Sequence, residues 1–128
     1  MRDRAGITSA ARGCVGARFR PHGRDPAYGL DCVGVAAVAF GESVPGDYAI
    51  RGGSVAEVAR AARAAGLSAV TPDQARDGDL VLINAGPGQL HLAILTEVGF
   101  VHADAGLRRV VETPGRPAGA LAAWTMGD

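Results

Sequence analysis

Residues 31–41 read Asp31-Cys32-Val33-Gly34-Val35-Ala36-Ala37-Val38-Ala39-Phe40-Gly41. An Asp able to cap, a stretch that is apolar almost throughout and a closing Gly predict a buried helix. The valines would also suit a strand, but the alanines and the two flanking residues favour the helix. Cys32 then falls in the first turn, where the dipole and free N–H groups favour negative charge on its sulfur. The plain alternative is a small buried hydrophobe, as free Cys often is.

On the N-terminal side, residues 3 to about 15 are Ala-rich with spaced apolar positions and predict a first helix, ended near Gly13 and Gly16. Residues 17–30 (ARFRPHGRDPAYGL) carry the turn-forming Pro21, Gly23, Pro26 and Gly29 and predict a long loop, the kind of segment that carries function. On the C-terminal side, a turn-rich connector with Pro45 and Gly46 leads to Ser54-Val55-Ala56-Glu57, a capping box. Val55, Val58, Ala59, Ala62 and Leu67 follow the helical period up to Gly66, with Arg60 and Arg63 on the solvated face. From Gly78 onward the pattern turns to short segments, 79–84, 90–96, 100–103, 108–112 and 120–125, which read as strands. Helices first and strands afterwards make an α+β domain in which N-terminal helices pack on a C-terminal antiparallel sheet.

With 128 residues, the chain is expected to form a single domain, 1–128. Hydrophobic residues at 48% against 20% charged exclude a disordered composition, and 19 glycines imply many tight turns. The formal net charge is zero, the basic residues are scattered and aromatic residues are few, so neither a nucleic-acid footprint nor a stacking platform is present. No apolar run approaches the ~18 residues of a membrane span, and the opening Met1-Arg2-Asp3-Arg4-Ala5-Gly6 has no apolar region of a secretory signal behind it. Cys14 and Cys32 are expected to be reduced rather than paired, with Cys14 packed in the core.

His91 heads the strand His91-Leu92-Ala93-Ile94-Leu95, and His102 lies in Phe100-Val101-His102-Ala103-Asp104. A turn around Val98-Gly99 makes these strands a hairpin with both imidazoles near the same end. Singly, each histidine reads as a polar residue closing a strand. Together with Cys32 they form a nucleophile, a base and a group that orients the base. Asp104, two residues after His102, shares its face and could fix His102 or replace it as the orienter. The Cys32 backbone N–H is the candidate oxyanion donor, and Tyr28 could add a hydroxyl from the loop. Asp31 is either the helix cap or a substrate contact, and His22 is a loop residue expected to be exposed. Cys32, His91 and His102 could instead hold zinc, but no Cys-x-x-Cys or His-x-x-x-His spacing accompanies them, so no metal is expected.

Three blocks resemble the NlpC-type cell-wall cysteine peptidases, relatives of papain by fold. They are Gly16-Ala17-Arg18-Phe19-Arg20 through Gly23-Arg24-Asp25-Pro26; Gly29-Leu30-Asp31-Cys32-Val33-Gly34-Val35; and Gly78-Asp79-Leu80-Val81 followed by His91-Leu92-Ala93-Ile94 and Phe100-Val101-His102-Ala103. The first two look closest to the short peptidases encoded with phage tails and gene transfer agents. The resemblance implies that Cys32 is the nucleophile, His91 the base and His102 the third member, acting without metal or cofactor on peptidoglycan stem peptides, commonly at the D-glutamate–diaminopimelate bond. Phe19 stands where many such proteins carry a Tyr that shapes the substrate site, so that hydroxyl would be lost or moved to Tyr28. It further implies a protein made in the bacterial cytoplasm that acts at the cell wall, carried there by another component such as a tail particle and its proteins. A tail-assembly or adaptor module, and a thiol acyltransferase or amidase using the same three residues, are the alternatives.

Overall fold

The computed structural model describes residues 3–41, 54–86 and 89–126. The connector with Pro45 and Gly46 lies outside them. Helix α1 (Arg4–Gly13) is capped by Asp3, whose side chain accepts from the Gly6 N–H. Helix α2 (Cys32–Phe40) begins at Asp31 and ends at Gly41, whose φ of 72° is a left-handed turn that favours glycine. Helix α3 (Val55–Ala64) takes its cap from Ser54, which accepts from the Glu57 N–H.

The loop at 17–30 contains a small hairpin that the turn residues concealed, β1 (Arg24–Asp25) with β2 (Gly29–Leu30). The remaining strands are β3 (Ser68–Val70), β4 (Leu80–Gly86), β5 (Gln89–Leu95), β6 (Gly99–Asp104), β7 (Arg109–Pro114) and β8 (Ala120–Thr125). They form one antiparallel sheet in the order β3-β8-β4-β5-β6-β7, so the last strand inserts between β3 and β4. The α+β reading with an antiparallel sheet holds. Sequence pattern missed β3 because, at three residues, it is too short to show a period of two.

Alternation gives the sheet two apolar faces. Leu82, Leu92, Ile94, Val101 and Val110 face the helices and pack with Ile7, Cys14, Val35 and Phe40. Val81, Ile83, Ala93, Leu95 and Ala123 form a smaller cluster on the opposite side with Ala75. An ion pair ties the first helix to the sheet. Arg4 Nη1 lies 2.7 Å from Asp79 Oδ1 and donates to the Asp77 carbonyl at 2.8 Å, while Nη2 reaches Thr125 Oγ1 at 3.2 Å. Asp79 is only 2% exposed, so its charge depends on this partner and on the Arg76 N–H that it accepts.

Candidate active site

The start of the 17–30 loop, at Arg18 and Phe19, runs between β7 and β2. Phe19 N–H donates to the Arg108 carbonyl and Leu30 N–H to the Arg18 carbonyl, which lays Phe19 along the sheet edge. The loop then passes over the start of α2 in backbone-to-backbone contact. A Cβ placed on Gly34 would lie 2.1 Å from the Gly23 carbonyl oxygen, so the Asp-Cys-x-Gly spacing needs glycine for close approach.

Asp31 fastens both partners. Its Oδ1 accepts from the Gly34 N–H and from Arg24 Nη1, each at 2.8 Å, and its Oδ2 accepts from the His22 N–H at 2.8 Å. Asp31 is therefore the helix cap, and it also borders a cleft of about 620 Å³. That volume is within the range of small-molecule and peptide sites.

Cys32, His91, His102, Asp104, Phe19 and His22 all line this cleft. Tyr28 does not. It stands 70% exposed in the β1–β2 turn, so the structure does not bring its hydroxyl to the thiol in place of the one Phe19 lacks. Cys14 is buried in the core with Sγ 3.4 Å from the Ala10 carbonyl, and Cys14 and Cys32 are not joined in a disulfide.

The β5–β6 hairpin is paired only near its turn, at Ile94↔Val101 and Leu95↔Phe100. Beyond that the two strands part, β5 staying with β4 and β6 with β7. The N-terminus of α2 packs at this opening, where the Leu92 N–H is directed at the Cys32 sulfur. His91 and His102 are thus not a regular cross-strand pair, as the hairpin alone suggested. Their rings meet edge to face with centroids 5.0 Å apart, and His91 Nε2 lies 2.9 Å from His102 Nδ1. His102 Nε2 in turn lies 2.8 Å from Thr113 Oγ1. Thr113 was missed by sequence reasoning. It sits diagonally from His102 across β6–β7, and only the register of that pairing, with His102 opposite Val111, could have found it.

Asp104 Oδ1 accepts from the Leu107 N–H and closes the β6–β7 turn. It is His102 that bonds His91, while Asp104 acts on both rings through its charge. Burial drives the His91 pKa down to about 4, aided by His102 and opposed by Asp104. Burial also lowers His102, against the pull of Asp104.

Cys32 is pushed up to about 11 by burial; the Leu92 N–H opposes this, Asp31 adds to it, and the amides of Val33 and Cys32 oppose it. The helix start does lower the thiol pKa, but desolvation outweighs it. These shifts favour a thiol beside neutral imidazoles. Among the described residues, no group of three or more His, Cys, Asp and Glu is arranged to hold a metal ion, and no helix is long and apolar enough to cross a membrane.

No protein-family model matches the chain, and no curated protein sequence does. Solved structures do match. The NlpC/p60 domain of the peptidoglycan hydrolase SagA superposes with a TM-score of 0.71 over 98% of this chain and 100% of its own, at 24% identity. This is the NlpC/p60 fold. The peptidoglycan hydrolase RipB of Mycobacterium tuberculosis shares it at a TM-score of 0.64 and 22% identity, over 98% of this chain and 65% of RipB. RipD of the same organism, described as a non-catalytic NlpC/p60 protein adapted to peptidoglycan binding, shares it at 0.61 and 18% identity, over 98% and 97% of the two chains. One NlpC/p60 frame thus carries both hydrolysis and binding alone, and the side chains in the cleft have to distinguish them.

Proposed function

We propose that this NlpC/p60-fold chain is a cysteine endopeptidase that hydrolyses amide bonds in peptidoglycan stem peptides, at the D-glutamate–diaminopimelate bond. The observation that carries the reading is a thiol at a helix start and two hydrogen-bonded imidazoles lining one cleft. Solved neighbours of the same fold that hydrolyse peptidoglycan supply the substrate class. Cys32 is the nucleophile, His91 the base and His102 the orienter. His91 takes the thiol proton as sulfur attacks the carbonyl, because neither group is charged in the resting site. The oxyanion is met by the Cys32 N–H at the start of α2. His91 returns the proton to the leaving amine, and water releases the acyl group. Phe19 and Asp104 border the substrate in the cleft. Delivery to the wall by a phage-like tail rests on the likeness of the loop and Cys32 blocks alone.

Digestion of purified peptidoglycan with wild type and Cys32→Ala, read by mass spectrometry, tests the reading. Cysteine-dependent release of stem-peptide fragments names the bond. Binding of peptidoglycan without release by either protein would refute the endopeptidase and leave the role that RipD has. Release of equal fragments by Cys32→Ala would refute the mechanism.

A further inference from the structure

The two imidazoles form a directional problem that their own contact does not solve. A neutral imidazole has one N–H and one lone pair, so the 2.9 Å bond between His91 Nε2 and His102 Nδ1 can run either way. If His102 donates, His91 Nε2 must accept, its proton sits on Nδ1, and it has no lone pair left for the Cys32 thiol. If His91 donates, its Nδ1 is free to act as a base. The second arrangement requires His102 to hold its single proton on Nε2, and Nε2 lies 2.8 Å from Thr113 Oγ1.

Thr113 Oγ1 can accept the His102 Nε2 proton or donate its own; we propose that it accepts, and that Thr113 is in this way a positioning residue that favours the pair of tautomers leaving His91 basic toward Cys32. The inference rests on the endopeptidase reading only for its consequence in catalysis, since the tautomers exist whatever the substrate. Three features of the sheet support it. Thr113 pairs with Phe100 across β6–β7, and Phe100 and His102 lie on one face, two residues apart. The Phe100 ring packs on His102 with centroids 4.8 Å apart, tilted by 32°, which fixes the ring plane. His102 is only 9% exposed, so water is a poor substitute for the threonine oxygen. Asp104 shares this face but acts on His102 through its charge, with Oδ1 taken up by the Leu107 N–H.

The test compares wild type, Thr113→Val and Thr113→Ser by two readouts that need no substrate: imidazole ¹⁵N shifts, which report the protonated nitrogen, and the alkylation rate of Cys32 by iodoacetamide at neutral pH. We expect wild-type His102 to be protonated at Nε2. Valine, which keeps the shape and removes the acceptor, should mix the tautomers and slow alkylation roughly tenfold, the worth of one hydrogen bond. Serine, which keeps the oxygen, should restore both. Protonation of wild-type His102 at Nδ1 would overturn the inference, as would a valine variant with wild-type shifts and alkylation rate. If wild type releases no stem peptides yet valine shifts the tautomers and serine restores them, the relay stands and the substrate assignment fails. If release is cysteine-dependent and valine changes nothing, the converse holds.

Discussion

Gly34→Ala sets two effects of opposite sign against each other. Within a helix, Ala in place of Gly stabilises by about 1 kcal/mol if nothing obstructs the new methyl. Here the methyl would stand 2.1 Å from the Gly23 carbonyl oxygen and 3.1 Å from Leu30 Cδ2, where ordinary contact begins at 3.4 Å. The obstructing atom is backbone, and that loop is bolted down by Asp31 through the His22 N–H and Arg24, so it must retreat by about 1.3 Å or the helix must tilt. Overpacking of this kind costs about 1–3 kcal/mol, which cancels or outweighs the helical gain. We expect a melting temperature lowered by a few degrees, about 4 °C for each net kcal/mol in a chain of this size. The larger effect falls on the cleft, whose wall carries Phe19, Pro21 and His22 on the displaced loop. A misplacement of about 1 Å can cost a hundredfold in rate, so turnover should fall far more than stability. Thermal melts followed by circular dichroism and alkylation of Cys32 read the two quantities separately. A variant that melts about 4 °C higher than wild type, as the helical gain alone would give, with an unchanged Cys32 alkylation rate, would refute the close-approach argument.

Stability should fall as pH drops from 6.5 toward 4. His91 is held near 4 in the folded chain against 6.5 when unfolded, so within this window the unfolded chain alone takes up the proton. The loss from His91 is about 2 kcal/mol at pH 5 relative to pH 7, and urea midpoints of wild type and His91→Gln should converge at the lower pH. Equal pH slopes for the two proteins would contradict the buried neutral imidazole. Arg4→Met should destabilise by about 3 kcal/mol because Asp79 would be left buried without its cation, whereas Arg4→Met with Asp79→Leu should regain most of that loss. Additive losses in the double variant, measured by urea unfolding, would argue against the pair.

What could be read from sequence follows how local each signal is. Helix α2 was legible because Asp31 and Gly41 bracket an apolar stretch and each acts within a turn of itself. Strand β8 was legible from end to end, since its position in the sheet is not needed to recognise it. The hairpin β1–β2 was hidden by two prolines and two-residue strands, too short to show alternation. His91 and His102 were legible as a pair, but the parting of β5 and β6 beyond Ile94 and Val101, at the place where α2 packs, is a tertiary event with no local trace. Thr113 needed the register of a strand pair, and Tyr28 stands exposed outside the cleft that Phe19 lines, which a place in the loop does not reveal. The helix-start argument for an acidic Cys32 was sound in sign and lost to burial, which sequence position does not measure.

The insertion of β8 between β3 and β4 has a consequence for how the molecule can come into being. Strand β4 has one finished flank, against β5, and keeps the other open until residues 120–125 are available. During synthesis the thiol helix and the histidine hairpin exist while a row of unpaired N–H and C=O groups on β4 still invites a foreign strand. Cutting the chain before β8 would not trim a border. It would cut β3 off from the sheet and leave β4, with its buried Val81 and Leu82, as a sticky edge. The last strand is a keystone, and a nascent chain held short of it is the form most exposed to aggregation.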